Sequence, residues 1–121
     1  QGAIAVEIRD DDDGLRELLS RLNHHETEIA VRAERAFLAA LEGGCQVPIG
    51  ALAMKVQGGF TLYGFVSDVR GREVVRGSMP VDMGSPEESG QALAAELRTR
   101  GASSLLMELR NAGQLIAPQP E

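Results

Sequence analysis

The sequence predicts an α+β fold, a three-stranded antiparallel sheet with helices packed on one face in the order α-β-β-β-α. Three observations carry this. Apolar residues recur at three- and four-residue intervals between His25 and Glu42. Three strand-like runs then follow one another across tight Gly-containing links, and Ser85-Pro86-Glu87-Glu88 opens a second periodic stretch. Short links between consecutive strands favour hairpins, because parallel pairing needs a long crossover.

Ala3 to Ile8 reads as a short apolar strand. Asp10-Asp11-Asp12-Asp13-Gly14 interrupts it as a solvated loop whose acids favour the start of a short helix from about Leu15 to Leu22. No Gly and Glu follow the acids at calcium-loop spacing, so no metal site is predicted there.

The long helix is expected from about His25 to Glu42. Ile29, Ala33, Ala36, Phe37, Ala40 and Leu41 form its apolar stripe, and Glu28 and Arg32 are an i,i+4 pair on its flank. Asn23 is the predicted cap, with Glu26 at the capping-box position. His24 and His25 read as capping or packing groups rather than acid-base catalysts, and Arg32 and Arg35 are candidate contacts for carboxylates or neighbouring domains.

The predicted strands are Ala51 to Val56, Phe60 to Ser67 and Glu73 to Met79, with Gly58-Gly59 and Arg70-Gly71 as connections. Ser85 then caps a helix with Pro86 at its first position and Glu88 three residues past the cap. Leu93, Ala94 and Leu97 continue it to Gly101, and Ala102 to Arg110 supplies a last short helix. Beyond Asn111 the chain has little reason to order. The expected organisation is 1–22 as one unit, 23–112 as the main domain and 113–121 as a disordered tail.

The 121 residues suit one small domain, and the 43% of hydrophobic residues can build a modest core. No apolar run approaches the roughly 18 residues of a membrane helix, and no signal-peptide pattern opens the chain. A formal net charge of −6 leaves no electrostatic footprint for nucleic acid.

Cys45 is the only cysteine, and it sits in Gly43-Gly44-Cys45-Gln46-Val47-Pro48-Ile49-Gly50 directly after the long helix. It cannot form an intrachain disulfide. The thiol is inert packing, an intermolecular bridge, a metal ligand needing help, or a nucleophile. Gly43 and Gly44 can take positive φ, ending the helix and letting a bulky group approach the backbone beside the thiol.

The run from His24-His25-Glu26-Thr27 through Ala33-Glu34-Arg35-Ala36-Phe37 to Leu41-Glu42-Gly43-Gly44-Cys45-Gln46-Val47-Pro48-Ile49-Gly50-Ala51 resembles the C-terminal region of the hydroxymethylbilane synthase family, also called porphobilinogen deaminase. The likeness extends upstream to Gln1-Gly2-Ala3-Ile4-Ala5-Val6-Glu7-Ile8-Arg9, similar to the end of that family's first domain, and downstream to the last helices. It covers nearly the whole chain.

The resemblance implies that Cys45 carries a dipyrromethane cofactor through a thioether. On this primer the family's enzymes condense four porphobilinogen units into linear hydroxymethylbilane with release of ammonia. The residue type suits the chemistry: loss of ammonia leaves an electrophilic methylene carbon that a soft thiolate attacks better than a hydroxyl. By the same resemblance Gly44 shapes the anchor loop, while Gln1 and Gly2 border the cofactor. It implies a cytoplasmic, monomeric enzyme whose carboxylate-binding arginines and catalytic aspartate lie in two N-terminal domains not represented in this sequence. The chain therefore reads as a piece of a longer enzyme, holding no catalytic residue and inactive alone, with an exposed strand at Ala3 to Ile8 through which copies could dimerise.

Two alternatives stay open on residues alone. One is a non-catalytic interaction domain with a structural cysteine. The other, an RNA-binding module with the same element order, is disfavoured because one lysine and eleven arginines face eighteen acids.

Overall fold

The structure is a computed structural model and describes residues 3–41 and 48–116. Helix α1 spans Asp13–Ser20, α2 His25–Leu41, β1 Ile49–Val56, β2 Gly59–Ser67, β3 Val74–Pro80, α3 Pro86–Leu97 and α4 Ser103–Ile116. The sheet is antiparallel in the order β1-β2-β3, so the predicted α+β architecture holds.

Alternation along the strands separates two faces. Ala53, Leu62 and Met79 form one cross-strand row facing the helices, and Ile49, Val66 and Val75 form another. Ile29, Ala33, Phe37 and Leu41 of α2 and Leu93, Ala94 and Leu97 of α3 meet these rows. Complete burial of side chains such as Phe37, Leu62 and Leu97 stabilises the fold by about 1.5–3 kcal/mol each. Gly64 faces this core, and a Cβ there would overlap the ring of Phe37. Gly90 likewise lets α3 lie against the Ala33 carbonyl and the Ala36 side chain of α2.

Among the described residues, no helix packs on the opposite face of the sheet. Leu52, Met54, Tyr63, Phe65 and Val74 remain exposed there.

Four expectations are corrected. Residues 3–9 form no strand; among the described residues no neighbouring strand pairs with them, and a lone strand cannot satisfy its backbone. Ile4 is 96% exposed. His24, not Asn23, caps α2: its Nδ1 accepts the Thr27 main-chain N–H at 3.2 Å. Glu26 reaches Lys55 instead of closing a capping box. Arg32 pairs with Glu87 of α3, its Nη2 donating at 3.0 Å, rather than with Glu28 on its own helix.

Other boundaries move less. Asp12 caps α1 by accepting the Leu15 N–H at 3.0 Å, as the acidic run suggested. Ser85 stands at the α3 cap position, but it is its carbonyl that accepts the Glu88 N–H, at 3.1 Å. After Leu97 the chain bends through Arg98–Ala102, where Gly101 adopts φ 115°, a value that suits a residue without a Cβ. Helix α4 then runs to Ile116, six residues past the predicted Arg110 and into the stretch expected to be disordered. Residues 117–121 lie outside the described residues.

Candidate functional site

The octapeptide around Cys45 links the C-terminus of α2 to the first residue of β1. Residues 42–47, Gly44 and Cys45 among them, lie outside the described residues, as do Gln1 and Gly2. Their flanks are described, and both are held in place.

On the helix side, Leu41 is buried and Phe37, one turn earlier, is locked beneath the sheet by Gly64. The last carbonyls of a helix lack intrahelical partners; here the Arg98 guanidinium, reaching from the end of α3, donates to the Ala40 carbonyl. On the strand side, the Pro48 carbonyl accepts the Ser67 N–H at 2.9 Å. This extends the β1-β2 ladder one residue beyond Ile49. A six-residue link is thus strung between two fixed ends.

A third tie joins the two flanking elements. Glu34 of α2 is 6% exposed, and its Oε2 accepts the Ala53 main-chain N–H of β1 at 2.8 Å. Ala53 is on the strand's free edge, where the N–H has no ladder partner, so the carboxylate serves as one. Nearer the solvent, Lys55 Nζ donates to Glu26 Oε1 at 2.6 Å. That hydrogen bond, then the ammonium charge, holds the Glu26 carboxyl below its ordinary range. The Arg32 hydrogen bonds do the same to Glu87, and Glu87 in turn raises the Arg32 guanidinium.

The structure locates the other residues that the sequence singled out. Arg32 serves the α2–α3 contact and His24 caps α2, while Arg35 is exposed. Among the described residues, no three His, Cys, Asp or Glu side chains converge to hold a metal ion. Three supporting residues escaped the sequence reading: Glu34, Glu87 and Arg98. Only Glu34 left a signal, since it sits on the apolar stripe beside Ala33, one turn from Phe37 and two from Leu41, where a carboxylate must find a partner.

A family model described as "Porphobilinogen deaminase, C-terminal domain" matches residues 28–99, which include both flanks and the link between them. The chain belongs to this family. It is 46% identical over 110 residues to the porphobilinogen deaminase of Carboxydothermus hydrogenoformans, and 48% identical over 110 residues to that of Moorella thermoacetica. In each comparison 91% of this chain aligns with 35% of the relative. The chain thus spans about a third of the length of the porphobilinogen deaminases it matches. No helix among the described residues is long and apolar enough to cross a membrane.

Proposed function

We propose that this chain is the cofactor-carrying part of a porphobilinogen deaminase, the transferase that joins four porphobilinogen units into hydroxymethylbilane with release of ammonia. The observation that carries the reading is the family match across residues 28–99, with Cys45 within it as the chain's single thiol.

The residues present fit a thioether-linked dipyrromethane. Cys45 offers the one soft sulfur nucleophile, on a link whose two ends are tied down at Ala40 and Pro48. A carbon–sulfur bond formed there resists hydrolysis, as an anchor retained through successive condensations must. When bound, the group supplies the primer on which the pyrrole chain grows. The protein's part is to hold the sulfur at a fixed place: Glu34 ties α2 to β1, Arg98 closes the end of α2, and Ser67 pins Pro48.

Gly44 gives the link the conformational latitude to admit a pyrrole beside the backbone. Gln1 and Gly2 border the same group, Gln1 offering a donor and an acceptor. Proton transfer and carboxylate pairing belong to the portion that the longer relatives carry beyond this third of their length. The working enzyme is a monomer of the cytoplasm.

Cys45→Ser in the full-length enzyme tests this. Serine is close in size but lacks the thiolate, so intact-mass spectrometry should find no dipyrromethane adduct and assays no hydroxymethylbilane, while circular dichroism stays native. Normal turnover by the serine variant overturns the reading.

A further inference from the structure

The outer sheet face carries a groove of about 690 Å³, within the range of small-molecule sites. Its floor is backbone. Ala51, Gly64 and Gly77 stand in one cross-strand row whose Cβ direction points to the core, and two of the three have no side chain. Its walls are the neighbouring rows. Leu52, Tyr63 and Ser78 stand on one side and Phe65 with Arg76 on the other, Phe65 leaning over Gly50, where any Cβ would collide with its ring.

Two features select an occupant. Tyr63 and Phe65 are two residues apart on one strand, so their side chains leave the sheet about 6.7 Å from each other. That is about twice the 3.5 Å at which carbon atoms pack best, room for one flat ring between two others. Arg76 is the single charged residue among those that β1, β2 and β3 direct to this face. Among the described residues, no carboxylate lies within ion-pair distance of it. An unpaired guanidinium beside an aromatic slot favours a planar acid, whose carboxylate it can grip with two parallel N–H donors.

We propose that the outer face of the sheet binds a flat aromatic carboxylate, its ring between Tyr63 and Phe65 and its carboxylate on Arg76. The site is built wholly from β1, β2 and β3 and does not depend on the role assigned to Cys45.

The test is a titration of the ¹⁵N-labelled 121-residue chain with 1-naphthoate, and in parallel with the neutral 1-naphthalenemethanol, followed by amide chemical shifts. Saturable shifts centred on Leu52, Tyr63, Phe65, Gly77 and Ser78 are expected, with naphthoate the tighter probe. Arg76→Gln, an exposed substitution that leaves the core intact, should weaken naphthoate about fivefold, the upper range for an exposed ion pair, and erase its advantage over the alcohol. Equal naphthoate affinity in Arg76→Gln, or shifts centred elsewhere, overturns the proposal. So does a dimer in sedimentation equilibrium whose formation alone shifts these amides, since the occupant is then a second copy.

Discussion

The buried carboxylate of Glu34 accepts the main-chain N–H of Ala53 across the gap between α2 and β1. Among the described residues it is the one side-chain bond that ties together the two elements flanking the Cys45 link and that is closed to water. It also covers part of the exposed edge of β1, a strand margin that would otherwise invite pairing.

Glu34→Ala should therefore cost more than an exposed deletion. It leaves the Ala53 N–H without a partner, a loss of about 1–3 kcal/mol, and opens a small cavity besides. Glu34→Gln keeps an acceptor oxygen and should lose clearly less. Urea unfolding of both variants, with hydrogen exchange at the Ala53 amide, checks the order. Equal losses would mean the hydrogen bond is not what Glu34 contributes.

Gly64→Ala should destabilise by about 1–3 kcal/mol, the usual range for overpacking, because the new methyl overlaps the Phe37 ring. The double variant Gly64→Ala with Phe37→Leu should recover part of that loss relative to the sum of the single variants. Thermal unfolding of the four proteins of the cycle measures the coupling. Strict additivity would show that ring and glycine do not compete for space.

Acid should weaken the fold through Glu26 and Glu87. Both carboxyls are depressed in the folded state, chiefly by hydrogen bonds from Lys55 and Arg32. Their contribution is present above the unfolded value, about 4.3, and disappears as pH falls through the lower folded values. Unfolding midpoints between pH 6 and pH 3 should decline, and Glu87→Gln should flatten the decline. An unchanged slope in that variant would place the acid sensitivity elsewhere.

The 121-residue chain alone should not turn over porphobilinogen. Removal of general acid-base and electrostatic groups costs orders of magnitude in rate, and by resemblance those groups lie in the other two-thirds of the relatives' length. Colorimetric assay of a contaminant-free preparation provides the check, and measurable turnover would contradict it.

The sheet and the long helices were legible because local chemistry and tertiary packing agree there. The Ile29-Ala33-Phe37 spacing has one solution, and Gly58-Gly59 and Arg70-Gly71 leave hairpins as the shortest links. The misreadings came where a distant residue outbid a near one. Arg32 had Glu28 at ideal helical spacing yet took Glu87, 55 residues away, because docking α3 on α2 brings a second helix surface within reach. At the start of α2, the histidine ring reached the Thr27 N–H first, although Asn23 is the better capping type. Ala3 to Ile8 has strand composition and no strand beside it, a condition that composition cannot reveal. Of the site itself, the sequence disclosed the thiol and its glycines but not the ties at Ala40, Ala53 and Pro48, which join residues 19 to 58 positions apart only after the sheet has formed beneath the helix.

The strands lie in space in the order in which they occur along the chain, and the helix that closes the layer over α2 comes after all of them. A ribosome therefore releases the cysteine long before its surroundings are finished. When residue 80 has emerged, the sheet can zip, yet Gly90, Glu87 and Arg98 are still inside the exit tunnel or not yet made. Until they arrive, Ala33 and Ala36 lack the helix that packs on them, Arg32 lacks its acid and the Ala40 carbonyl lacks its donor. The ties on either side of the Cys45 link are thus completed late, once α3 and Arg98 have followed the sheet out of the tunnel.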